Sequence, residues 1–152
     1  MPTTTKRISL LFSFLTILSL QALHAQDQIS WLDDYTGEML IGSDTYSYNF
    51  TNVESNHCKL KFEEKHTNKK GSVEVHSWIF YLSDIDPSAI SFKAKGKSIG
   101  ISMETHQSRK FISYYENGEL DGYTENIGLT MDEVDKTRSF IEALKAGINK
   151  CK

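Results

Sequence analysis

The chain predicts a mainly β domain closed by one C-terminal helix, and three observations carry that prediction. Between residues 46 and 129 the apolar side chains recur with a period of two, the spacing that gathers them on one face of a strand. The segments are joined by short turns rich in Gly, Asn, Asp and Pro, and no helix between them is long enough to return the chain for a parallel pairing. From Thr130 onward the period changes to that of a helix. The expectation is about seven antiparallel strands in meander order, followed by an amphipathic helix packed on them.

Met1 to Ala25 stands apart from this pattern. A basic start (Lys6, Arg7) leads into an apolar run from Ile8 to Leu20, and Ala22-Leu23-His24-Ala25 places small residues at the two positions a signal peptidase reads. This is the anatomy of a secretory signal peptide cut between Ala25 and Gln26. The run is shorter than the roughly 20 apolar residues a spanning helix needs, it is interrupted by Ser and Thr, and no cysteine at the cut offers a site for lipid. The expected mature chain is one domain, residues 26–152, without a membrane span, in the periplasm or secreted. Cleavage removes Lys6 and Arg7 and no acidic residue, taking the formal charge from −3 to −5. That balance argues against nucleic acid and anionic membranes, which are held by clustered Lys and Arg.

The mature chain opens with Ile29, Leu32 and Tyr35 at helical spacing behind Asp27, a short amphipathic helix ending near Gly37 or Gly42. Tyr46, Tyr48 and Phe50 then alternate with polar residues, as do Cys58, Leu60 and Phe62. After the Lys65 to Gly71 turn comes the longest strand, Ser72 to Leu82. Val73 and Val75 have one parity there and Trp78, Phe80 and Leu82 the other, so a bulge that resets the register is expected. Asp84-Ile-Asp86-Pro87 ends it, because proline cannot donate to a ladder. Ile90 to Ala94 and Ile99 to Met103 flank Lys95-Gly96-Lys97 as a hairpin. Arg109 to Tyr115 and Gly122 to Leu129 flank Asn117-Gly118, which supplies the positive φ values of a tight turn. Thr130 and Glu133 form a capping box ahead of the stripe Val134, Thr137, Phe140, Ile141, Leu144, Ile148 and Cys151.

Both cysteines survive processing, and an exported chain meets an oxidising compartment. Cys58 shares the inward parity of Leu60, and Cys151 closes the apolar stripe of the helix. A Cys58–Cys151 disulfide is therefore expected, laying the helix across the sheet with its end beside the second strand. For a loop near 100 residues the chain-entropy account gives about 4 to 5 kcal/mol.

Seven antiparallel strands and a closing helix form the element order of the pleckstrin-homology-like superfold. In residues, the chain resembles a set of small exported bacterial proteins that carry no assigned activity. The resemblance rests on Trp31-Leu32, Cys58-Lys-Leu60, Tyr81-Leu-Ser-Asp84-Ile-Asp86-Pro87-Ser88 and Phe140 to Cys151. It implies a bent, partly open PH-like barrel of two orthogonal sheets closed by the helix, and it brings no catalytic or cofactor-binding residue with it.

The remaining candidates each have a bland reading that weighs more. His57, His66, His76 and His106 form no H-x-H or H-E-x-x-H pair, so scattered surface histidines are expected and no metal. Asp84 and Asp86 open like a calcium loop but lack its glycine and later glutamate. They read as a turn with an aspartate cap. Lys65-His66-Lys69-Lys70 and Lys93, Lys95, Lys97 read as solvated turns, since the loop where phosphoinositide-binding relatives of the barrel gather charge, here Asn52 to Asn56, carries no base. Trp31, Trp78, Phe80, Tyr81, Tyr114, Tyr115 and Tyr123 are enough to line a pocket, with packing as their default role. Asn49-Phe50-Thr51 is a sequon that matters only in a host that glycosylates exports. A nucleophile elbow is absent from the sequence.

These readings lead to an exported, non-enzymatic binding or protein-interaction module without a cofactor, its partner a protein or small ligand. A small apolar-ligand carrier in the manner of lipocalins is the alternative. A cystatin-like inhibitor ranks last, because it predicts fewer strands and no closing helix.

Overall fold

The computed structural model describes residues 36–54, 56–96, 98–131 and 133–152. The expected signal segment with its expected Ala25–Gln26 cut, residues 27–35 of the expected N-terminal helix, Trp31 and Lys97 lie outside the described residues. What is described is mainly β: nine antiparallel strands in two sheets and one C-terminal helix. The larger sheet has the order β1-β2-β3-β4-β7-β8, from Thr36–Ile41 (β1), Asp44–Val53 (β2), Asn56–Thr67 (β3), Val73–Tyr81 (β4), Ile112–Glu116 (β7) and Glu119–Thr124 (β8). Ser91–Lys95 (β5), Ser98–Glu104 (β6) and Asn126–Met131 (β9) make the smaller sheet in the order β5-β6-β9.

Two strands more than expected arise at identifiable places. Residues 36–41, expected to be the helix end or the loop after it, pair with β2 from Thr36↔Asn49 to Ile41↔Asp44. The segment Gly122 to Leu129 is two strands: the Thr124 hydroxyl turns the chain by accepting the Asn126 N–H (3.3 Å), and β9 joins the other sheet. The expected bulge in β4 is absent. Its ladder with β3 runs without a shift from Lys59↔Tyr81 to Thr67↔Val73, and Val73 is simply exposed on the opposite face. Register shifts fall instead at Asn52/Val53 against β3 and at Tyr114/Tyr115 against β8.

The sheets do not close into a barrel. A seam joins them, where Ile85 bridges Thr105, the Asp86 N–H donates to the Glu104 carbonyl (2.8 Å) and the Thr105 N–H to the Glu125 carbonyl (2.9 Å). Both hairpin turns foreseen from glycine are present, at Gly96 (φ 63°) and at Asn117-Gly118 (φ 51° and 87°).

The helix, Val134–Lys150 (α1), begins three residues later than a Thr130 cap would place it. Thr130 is held in the β6–β9 ladder opposite Gly100, so it cannot cap; Thr137 instead returns its hydroxyl to the Glu133 carbonyl (2.7 Å). Thr137, Phe140, Ala143, Leu144, Gly147 and Ile148 are buried, whereas Val134 at the start of the expected stripe is exposed. Phe140 meets Phe50 of β2 at 5.3 Å between ring centroids. At the far end, Cys151 is bonded to Cys58 of β3, with Cα atoms 5.6 Å apart and 93 residues between them in sequence. One core of Phe50, Leu60, Phe62, Phe80, Met103, Ile127, Leu144 and their neighbours fills the space among the two sheets and the helix.

Candidate functional site

Alternation divides the larger sheet into two faces, and each carries a distinct group of polar side chains. On the face away from the core, cross-strand register lines up Glu38, Ser47 and Lys65 in one row and Thr36, Asn49 and Glu63 in the next. Together with Gly37, Tyr48 and Lys136 of α1 these residues line an open cleft of about 610 Å³ at the β1 edge. Its floor depends on a close approach. A Cβ on Gly37 would lie 2.4 Å from Cε2 of the Tyr48 ring, so only glycine lets β1 pass under that buried tyrosine. The cleft is polar, with charges of both signs. Glu63 accepts the Ser77 hydroxyl (3.2 Å) and pairs with Lys61.

The core-facing side has histidines between strands. Phe50, Phe62, Trp78 and Tyr114 form one cross-strand row, with successive centroids 4.8, 5.1 and 5.3 Å apart. Trp78 is flanked on both sides, so the row is a packed wall rather than a flat platform for a ligand. Beyond it His76 meets the Tyr114 hydroxyl through Nδ1 (2.6 Å). In the outermost row His66 stacks on Tyr46 (4.5 Å), with Nε2 3.2 Å from Asp44 Oδ2 and Nδ1 3.6 Å from Glu74 Oε2.

The titrating groups follow their surroundings. His66 is held above the ordinary histidine range, chiefly by its hydrogen bond to Asp44 and then by Glu74, and the same bond holds Asp44 below the ordinary carboxylate range. Burial pushes Glu64 up, against the pull of His76 and His66. Burial likewise raises Tyr114, with Glu116, Asp121 and Glu64 adding to it.

The other residues singled out from sequence do not gather into one site, although His106 pairs with Asp86. Asp84 and Asp86 form the expected turn and shift in opposite directions. Burial raises Asp84, whereas Asp86 is lowered because its Oδ1 accepts both the Ser88 hydroxyl (2.6 Å) and the Ser88 N–H (2.8 Å). His106 stands 3.8 Å from Asp86, and His57 lies 3.1 Å from the Asn52 amide. Lys93 is exposed on β5, and Tyr81 and Tyr123 are exposed on the outer face, with Lys59 over the Tyr81 ring. Among the described residues no group of three or more His, Cys, Asp or Glu side chains is placed to hold a metal ion, and no helix is long and apolar enough to cross a membrane. Sequence reasoning missed the cleft, because β1 carries one buried side chain, Met39, and so shows no alternation. No family model matches the chain, and neither the curated proteins nor the solved structures yield a match.

Proposed function

We propose that the protein is an exported, non-enzymatic binding module whose site is the cleft beside β1, and that its partner is an extended polypeptide segment. The observation that carries this reading is the position of the cleft. It opens along an outer strand, where backbone groups can extend the sheet, and its lining offers Glu38 and Lys65 to side chains of the added strand. The groups that would serve acid–base chemistry are instead engaged in holding strands together: His66 between Asp44 and Glu74, His76 with Tyr114, and Glu63 with Ser77. The disulfide is compatible with the oxidising compartment to which the Met1 to Ala25 segment points. We further infer that two sheets joined at one seam and covered by a terminal helix are an open variant of the pleckstrin-homology-like plan. The apolar-ligand carrier is the weaker reading, since Phe50, Phe62, Phe80, Phe140 and Met103 occupy the space between the sheets.

Photo-crosslinking from within the exporting cell tests the site. A crosslinking residue in place of Ser47 is expected to yield a discrete protein adduct, and one in place of Ser102 on the smaller sheet none. Equal labelling from both positions, or from neither, would reject the cleft as the site.

A further inference from the structure

We propose that His66 is a proton-operated clasp at the far end of the larger sheet, holding the β1–β2 and β3–β4 hairpin tips together while both of its ring nitrogens carry protons. The geometry is that of one ring between two carboxylates on different strands. Nε2 lies 3.2 Å from Asp44 at the start of β2, and Nδ1 lies 3.6 Å from Glu74 in β4. A neutral imidazole has a single N–H and no charge, so it bonds one carboxylate and leaves the other uncompensated; the imidazolium bonds Asp44 and stands as a cation 3.6 Å from Glu74. Asp44 carries the effect beyond the ring, because its Oδ1 accepts the Lys69 N–H (3.1 Å) from the opposite tip. That tip is shaped in advance, with Asn68 Oδ1 accepting the N–H groups of Lys70 (2.9 Å) and Ser72 (3.0 Å). Moving the Asp44 carboxylate therefore breaks the bond that joins the two tips.

The carboxylates about His66 favour its charged form, against burial and the like charge of a protonated His76. From β2 come Asp44 and Tyr46, whose ring lies 12° from parallel to the imidazole and favours a cation over its face. From β4 come Glu74 and His76, and from β3 itself Glu64, which feels His66 and His76 alike. A histidine raised on folding contributes stability that is complete below its ordinary value of 6.5 and is lost as pH rises through the raised value. Asp44, lowered on folding, contributes above its ordinary 3.8 and loses that contribution as pH falls through the lowered value. The clasp is thus complete in mildly acidic solution and opens on the alkaline side. It concerns the hairpin tips and holds or fails independently of what the cleft binds.

Nuclear magnetic resonance titration of the oxidised mature chain, from about pH 5 to about pH 9, tests it. The His66 ring protons and the Lys69 amide are expected to move in one step with a shared midpoint above 6.5. Asp44→Asn is expected to lower the His66 midpoint and abolish the step at Lys69; Glu74→Gln is expected to lower the midpoint and keep the Lys69 step. A native midpoint at or below 6.5 would overturn the clasp, as would a Lys69 amide that does not follow the ring. Should Asp44→Asn fail to fold, the exposed Glu74 carries the comparison alone, and a midpoint that Glu74→Gln leaves unmoved is equally fatal.

Discussion

Gly37 and Tyr48 face each other across the first two strands, and their fit is a matter of tenths of an ångström. A methyl group at Gly37 would fall 2.4 Å from one ring carbon of Tyr48 and 2.8 Å from its hydroxyl oxygen. The ring is buried and cannot swing away freely, so Gly37→Ala is expected to cost about 1 to 3 kcal/mol, as overpacking does. Chemical denaturation measures it, and the decisive comparison is the same change in a Tyr48→Ala background, where most of the cost should vanish. Asn117 is a second position where a single side chain matters. It sits at φ 51° in the tight turn, and its Oδ1 accepts the Val75 N–H (3.0 Å); Asn117→Ala should cost about 1 to 2 kcal/mol in the same assay. Glu64 tests the electrostatics of the histidine face. Burial raises its pKa, so its ionised form is less favoured in the folded than in the unfolded chain. Glu64→Gln should therefore raise the melting temperature at neutral pH, and that gain should disappear in acid, where the carboxyl is protonated in both states. A Glu64→Gln protein less stable at neutral pH would show that the pull of His66 and His76 outweighs burial.

At the scale of elements, legibility tracked how many side chains an element buries. Strands β2, β3, β6 and the helix each bury a periodic set, so their existence was readable in advance. The edge strand β1 buries Met39 alone and is held by backbone pairing to β2, a relation that leaves no periodic trace. The two valines of β4 misled for a related reason: apolar residues near a strand end need not be inside, and Val73 is exposed. The helix cap was misread because Thr130 fits both a capping box and a ladder, and the ladder with β6 claims it. The cleft depends on β1, so it was invisible for the same reason that β1 was. In contrast, the cysteine pairing needed only parity, stripe and compartment. The helix is held twice, by burial and by the disulfide, and the two are separable. Phe140→Ala, which empties a wholly buried site against Phe50, should cost about 3 to 5 kcal/mol in equilibrium unfolding. Val134→Ala, at an exposed position, should change stability by less than about 0.5 kcal/mol.

For the whole molecule, the disulfide ties the last turn of the last helix to the third strand across 93 residues. In the unfolded chain it closes a loop over everything from β3 to the helix and leaves β1 and β2 outside. Replacing both cysteines by serine is expected to remove about 2 to 5 kcal/mol, most of it by freeing the denatured ensemble. Among the described residues the two sheets meet at a seam without closing, so the helix and the disulfide do the closing that barrel pairing would otherwise supply. This arrangement leaves β1 on the outside of the larger sheet beside the cleft, among the described residues. It also requires that the chain reach a compartment where the bond can form. The intact mass of the protein recovered from the exported fraction tests that claim most directly. A chain beginning at Gln26 and lighter than its reduced form by two hydrogen atoms is expected, with no reaction at either cysteine before reduction. A chain that retains Met1 to Ala25, or one in which Cys58 and Cys151 both react as free thiols, would contradict it.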